Sequence, residues 1–273
     1  MQLSDPWSRH ARQWNLIGPP LRPASEDIAL LAGAIADWRR NSPRSSCTAL
    51  LLGVTPEIAA MSWPAATTLL SIDHSAAMIR AVWPGKPPWR PAVQGEWTQL
   101  PLPDATVDLV VGDGCYSLLG YPQDYQRATR AIRAVLRPDG LLLMRFFTRP
   151  RVAESLANVF DDLRGGRIGN FHVFKWRLAM ALHGKLSVGV RLADVWRTWR
   201  EFVPDAEALS RLLGWPLAVI STIDAYRDVE CRYTFPTLDE ARSALSQLFI
   251  ECGCHVPHYE LGDRCPTLIL APR

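Results

Sequence analysis

Unbroken apolar runs recur along the first half of the chain, each closed by a glycine or polar residue and each followed by a helical pattern. Ala49-Leu50-Leu51-Leu52-Gly53-Val54 is one such run. Thr55-Pro56-Glu57 follows it with a cap residue, a proline at the first helical position and an acid, the signature of a strand-to-helix junction. Thr68–Asp73 repeats the pattern as a strand ending in an acid, with a helix from Ser75 to Trp83. Pro91–Gly95 and Val107–Gly112 predict further strands, Tyr125–Leu136 a helix, Arg137–Gly140 a turn and Leu141–Phe147 a buried strand. Ahead of these, the link Gly18-Pro19-Pro20-Leu21-Arg22-Pro23 leads into a helix opened by Ser25-Glu26-Asp27, with Ile28, Leu31, Ile35 and Trp38 at helical spacing. Strands apolar on both faces and alternating with helices predict a parallel sheet covered on both sides.

From Arg151 to about Leu213 the pattern is of helices alone. Leu238–Leu248 predicts a closing helix. Two short strands follow, His255–Leu261 and Pro266–Ala271, separated by the turn Gly262-Asp263-Arg264, and are expected to pair as an antiparallel hairpin.

The chain has 273 residues, 48% hydrophobic and 21% charged, which excludes a disordered or collagen-like polymer. A net charge of +3 gives no whole-chain case for nucleic acid, although residues 145–202 carry eleven Lys/Arg against five acids. No apolar run approaches the ~20 residues a bilayer requires, and the opening Met1–Trp7 lacks the basic-then-apolar order of a secretory signal. Six cysteines in such a chain read as reduced thiols, so a cytoplasmic location is expected.

Ligands of an open parallel sheet bind beyond the carboxyl ends of its strands. Those ends carry Gly53-Val54-Thr55, Asp73, Glu96-Trp97 and Gly112-Asp113. An acid ending the second strand can accept from both hydroxyls of a ribose, or simply cap the next helix. The stretch Gly95-Glu96-Trp97-Thr98-Gln99-Leu100-Pro101-Leu102-Pro103-Asp104-Ala105-Thr106-Val107-Asp108-Leu109-Val110, with Arg133-Ala134-Val135-Leu136-Arg137-Pro138-Asp139-Gly140, resembles class I S-adenosylmethionine-dependent methyltransferases. The resemblance covers about residues 45–150 and the C-terminal hairpin. It implies an α/β, doubly wound, seven-stranded sheet, mostly parallel with an antiparallel C-terminal hairpin and a helical insertion or cap. On that plan residues 1–44 are a helical lid, 45–150 the cofactor-binding core, 151–235 the cap, and 236–273 the closing helix and hairpin of one folded unit.

The resemblance also implies roles for particular residues. Gly53, with Val54 and Thr55, would lie against the methionyl part of S-adenosylmethionine. Asp73 would hold the ribose, with His74 or Met78 beside the adenine. Glu96 and the Trp97 amide would meet the adenine edge, while Gly112 and Asp113 would border the sulfonium. Arg22 is a candidate for the cofactor carboxylate, with a solvated arginine as the alternative. Asp113 is a candidate base for the acceptor, or part of a simple Asp-Gly turn, and Tyr116 could face the sulfonium. The family's acid-x-G-x-G-x-G loop is replaced by Leu51-Leu52-Gly53-Val54-Thr55-Pro56-Glu57, keeping one glycine. The expected function is methyl transfer to a small-molecule acceptor, leaving S-adenosylhomocysteine. The alternatives are a non-catalytic binding or scaffold protein of this fold and, behind it, an RNA methyltransferase using the basic cap. No membrane partner and no metal are expected: Cys252, Cys254, His255, His258 and Cys265 lack the usual ligand spacing.

Overall fold

The computed structural model describes residues 6–84 and 90–273; residues 1–5, which begin the expected lid, and 85–89 lie outside it. Nine strands form: β1 (Cys47–Leu52), β2 (Thr67–Asp73), β3 (Ala92–Gln94), β4 (Val107–Asp113), β5 (Leu136–Arg145), β6 (Val190–Arg191), β7 (Arg232–Tyr233), β8 (Phe249–His255) and β9 (Thr267–Pro272). Seven make one sheet in the order β3-β2-β1-β4-β5-β9-β8, parallel through β5 and antiparallel at β9 and β8. β1 pairs with both β2 and β4. The chain order reverses there, which opens a crevice at the carboxyl ends of β1 and β4.

The helices are α1 (Pro6–Arg12), α2 (Ser25–Asn41), α3 (Pro56–Ala60), α4 (Ala76–Val82), α5 (Gln123–Val135), α6 (Leu156–Arg164), α7 (Phe171–Ala181), α8 (Leu192–Phe202), α9 (Ala206–Leu213), α10 (Leu217–Ile220) and α11 (Leu238–Leu245). Because side chains alternate along a strand, β1 feeds two cores at once. Ala49 and Leu51 pack with Leu31, Ile35 and Ile58 of α2 and α3, whereas Leu50 and Leu52 share a cluster with Ile132 of α5 and Leu245 of α11. A third, aromatic core lies in the cap, where Phe160, Phe171, Phe174, Trp176 and Trp199 pack with Ile223, Tyr226 and Phe235. α7 is at its centre and is buried around most of its circumference.

The structure corrects several expected boundaries. Residues 151–213 are not helical throughout, because β6 pairs with β7 as a two-stranded ribbon. The hairpin begins earlier than expected, at Phe249, and residues 256–266 form its long connection, with Gly262–Arg264 as a single 3₁₀ turn. The turn Arg137–Gly140 is carried inside β5: Val107 pairs with Leu136 and Leu109 with Leu141, so these residues stand opposite Asp108 alone as a bulge. Ser25 is the first residue of α2 and not its cap; the Ala24 N–H donates to the Asp27 carboxylate at 2.8 Å.

After β4 the chain turns at Gly114, whose φ is +65°. A Cβ there would lie 2.3 Å from the Phe147 ring. Gly114→Ala therefore combines a left-handed backbone with overpacking. It is expected to destabilise the fold by about 2–4 kcal/mol, read as a lower urea midpoint at unchanged m-value.

Candidate active site

The crevice opens into a cavity of about 130 Å³. Its sheet side is made by Leu52, Gly53, Val54, Thr55, Asp73, Met78, Trp97 and Asp113, the residues at and beyond the ends of β1, β2 and β4. The N-terminal segment supplies Trp7, His10, Trp14, Ile17 and Leu21, and the cap closes the far side with Phe147, Lys175, Trp176, Tyr226 and Tyr233. A second cavity sharing Trp7, His10, Trp97, Leu118 and Tyr233 adjoins it and extends past His74 and Glu96. Most of the expected strand-end residues thus meet in one place.

Local geometry follows from the loops. Gly53 has φ +94°, and its N–H donates to the Ile72 carbonyl at 2.8 Å. A side chain at Gly53 would project to 3.8 Å from both Asp73 Oδ2 and the Trp97 ring, so glycine keeps the cavity floor open. Asp73 Oδ1 accepts from the Ser75 N–H at 2.8 Å, so this acid does turn the chain into α4 while also lining the cavity. The Trp97 indole is buried and donates to the Ile72 carbonyl at 2.7 Å. Glu96 is exposed at the rim of the second cavity.

Asp113 reaches the cavity as one member of a buried ion cluster. Arg145, only 2% exposed, donates to Asp113 Oδ1 at 2.5 Å, to the Pro20 carbonyl at 2.6 Å and to the Tyr259 oxygen at 3.0 Å, with Asp27 Oδ1 at 3.4 Å. Burial opposes the charge on Arg145, but Asp113 first, then Cys265, Tyr259 and Asp27, raise its pKa well above the usual value. Burial in turn pushes Asp113 up, against the pull of Arg145.

Three expected residues fall elsewhere. Tyr116 is 1% exposed, its hydroxyl bonded to Thr129 at 2.8 Å, and it packs in the core without lining the cavity. Gly112 faces the Met144 side chain, where a Cβ would approach to 2.5 Å. Arg22 is committed to Glu57, with Nε–Oε1 at 2.6 Å, and lies over the Trp14 ring. His255 and His258 both turn to Glu26, while Cys265 is buried in the cap core. The cap arginines are tied into acid pairs, Arg177 to Glu154 and Asp162, and Arg191 to Asp194 and Glu230. Trp199 is a core residue, Trp176 faces the interior cavity and Arg227 lies over the Trp196 ring, so these rings form no outward stacking surface for a nucleic acid.

A sequence profile of the methyltransferase domain matches residues 52–144, the segment that builds β2 to β5 and the sheet side of the cavity. The core is a class I methyltransferase domain. S-adenosylmethionine is the cofactor of this family. No curated protein sequence matches the chain. Among solved structures, the chain is similar to a Rhodobacter sphaeroides protein named for zinc-dependent alcohol dehydrogenases, at 13% identity and TM-score 0.55 over 97% of this chain and 98% of that one. It is also similar to a chain from the Haloferax volcanii complex of the Trm112 methyltransferase activator with a methyltransferase (12%, 0.51, 99% and 98%). A SAM-dependent methyltransferase of Methanosarcina mazei matches at 12% and 0.50, over 86% and 96%. At these identities the likeness is one of fold.

Pattern reading missed the cap and lid walls of this site. Lys175 stands among apolar positions on every side of α7, a cue to a buried cation, and Trp14 follows a short N-terminal helix. Three histidines are buried in the lid and cap, of which His10 lines the cavity. His10 is held down to about 3 by burial, then by Lys175 and Arg9. His172, lowered to about 4 by burial and Lys175, is 2.9 Å from the Leu16 carbonyl, and His183, lowered to about 4 by burial and Arg149, accepts from the Phe235 N–H. Each folded pKa lies below the unfolded value, so the unfolded chain takes up protons that the folded one refuses. Stability is therefore complete above about pH 6.5 and falls as pH drops toward 4, by at most about 1.4 kcal/mol per pH unit for each histidine. Urea midpoints at pH 7, 6 and 5 should trace this decline, and His183→Gln should make it shallower.

Proposed function

We propose that this protein transfers a methyl group from S-adenosylmethionine to a small-molecule acceptor held beneath the cap. The observation that carries the reading is the convergence of Gly53, Asp73 and Asp113, three strand ends of a methyltransferase domain, on one cavity roofed by the cap. The residues present suit a nucleoside with an amino-acid tail. Asp73 offers a carboxylate beside a glycine that leaves room for a sugar. The indole N–H groups of Trp14 and Trp176 line the cavity buried and without a hydrogen-bond partner among the described residues, which leaves donors for a polar ligand.

In this reading Gly53, Val54 and Thr55 border the methionyl chain, Asp73 accepts from the ribose hydroxyls, and Met78 and Trp97 flank the base. His74 and Glu96 stand at its outer edge and Asp113 beside the reacting centre. Bound S-adenosylmethionine supplies an already activated methyl group on a sulfonium. The protein's part is to align the acceptor and exclude water. The lid segment and the aromatic cap serve both ends, with Trp7 and Trp14 from the one and Trp176, Tyr226 and Tyr233 from the other lining the cavity. Its small volume suits a small molecule better than a polymer. Among the described residues no helix is long and apolar enough to cross a membrane.

The substituted first loop, with Thr55 and Glu57 where the family has glycines, favours a second reading as a binding module of the same fold. The two separate by turnover. Calorimetric titration with S-adenosylhomocysteine should give saturable binding, and Asp73→Ala should weaken it ten-fold or more through loss of charge-assisted bonds. Absence of heat and of thermal shift at millimolar ligand would reject methyl transfer and cofactor binding alike. Binding without methyl turnover on a broad acceptor panel favours the module.

A further inference from the structure

Lys175 is 1% exposed, yet it lines the cavity and its ammonium has no carboxylate within ion-pairing distance among the described residues. Its recorded contacts are the Thr222 hydroxyl at 3.4 Å and the face of the Tyr226 ring at 5.2 Å. The adjacent Trp176 indole N–H lines the same cavity, buried and without a hydrogen-bond partner among the described residues. A solitary buried amine is costly to keep charged, whereas Arg145, also buried, is given two carboxylates. We infer that Lys175 and Trp176 form the acceptor oxygen site, and that the acceptor is a flat aromatic or enolic molecule whose acidic hydroxyl is deprotonated by Lys175. This rests on the methyl-transfer reading and names its substrate class.

The chemistry of the wall supports that class. Phe147, Trp176, Tyr226 and Tyr233 present ring faces and edges, which suit a planar ligand. Burial lowers the Lys175 amine to about 7, so a neutral base is available near physiological pH. The titratable groups beside it are His10 of α1, His172 of its own helix, and Tyr226, with Asp73 and Asp113 on the sheet side of the cavity; both histidines are held neutral, so neither adds a second cation. An amine acceptor would bring a second cation, or a second neutral base, and leave the amine without an anion. In the step itself, the acceptor O–H bond breaks and its proton passes to Nζ. The oxygen electron pair forms the new O–C bond as the C–S bond breaks, with that pair returning to sulfur, and Nζ releases its proton to water as the product leaves.

The test uses 4-nitrophenol, whose ionised form absorbs visible light, with nitrobenzene and benzoate as controls, on the full chain without cofactor. Near pH 7, 4-nitrophenol should bind in its ionised form and at least ten-fold more tightly than either control. Lys175→Met should abolish the bound phenolate band while leaving S-adenosylhomocysteine binding unchanged. An unaltered band in Lys175→Met, or benzoate bound as tightly as nitrophenolate, would overturn the assignment. Wild-type protein alone gives a second measure should the variant not fold. Above the range of the amine, calorimetry in buffers of different ionisation enthalpy should show uptake of close to one proton per nitrophenolate bound, and no uptake would overturn the proposal. Nitrophenolate binding without S-adenosylhomocysteine binding would keep this site and remove the methyl-transfer reading.

Discussion

The buried guanidinium of Arg145 is the interaction on which the site's architecture depends. It lies at the carboxyl end of β5 and gathers partners from four separate segments: Asp27 in α2, Asp113 at the end of β4, the Pro20 carbonyl in the proline-rich link, and Tyr259 in the connection from β8 to β9. The Tyr259 hydroxyl donates onward to Asp27, at 2.9 Å from Oδ2, and closes the cluster. A buried arginine that lost one carboxylate would leave an uncompensated charge, at a cost of about 3–5 kcal/mol. The lid segment is therefore fastened to the sheet, and the cavity wall contributed by Ile17 and Leu21 is held in place. The same cation lies 5.0 Å from the Phe147 ring centroid, so the cluster also braces the first residue of the cap wall.

Long-range ion pairing explains why Asp113 and Arg22 were only half legible in the sequence. Strand ends can be read from apolar runs, and the topology that the runs imply delivers Gly53, Asp73 and Asp113 to one crevice. Ion-pair partners cannot be read that way. Arg22 is thirty-five residues from Glu57, and Arg145 thirty-two from Asp113. Tyr116 was expected at the cavity because it follows β4, but one 3₁₀ turn rotates it into the core against Thr129. The cap side was illegible for a related reason. Lys175 reaches the cavity only because α7 packs within a core drawn from α6, α8 and the Ile223–Tyr226 segment.

The sheet itself was legible where strands are buried on both faces and less so at its edge. Phe249–His255 is an edge strand with Ile250, Glu251 and Cys252 exposed, so its pattern carries little periodic signal, and the expected hairpin slid toward the turn residues. Arg137–Gly140 has the composition of a turn because it bulges from β5. Gly140 is required there, since a Cβ would come within 2.7 Å of the Asp108 carbonyl.

Charge is divided across the cavity in a way that bears on methyl transfer. The sheet side carries carboxylates, Asp73 and Asp113, whereas the lid and cap carry basic groups that burial holds close to neutrality, His10 and Lys175. A sulfonium is attracted to the carboxylate side at any pH where those acids are ionised. A base on the opposite side takes up the proton that the acceptor gives up, and the resulting ammonium then sits against the anion it has created. Low local polarity strengthens both effects. The aromatic wall thus sets the electrostatics as well as the shape: by desolvating Lys175, it makes the amine a base before the acceptor arrives and a counter-ion afterwards.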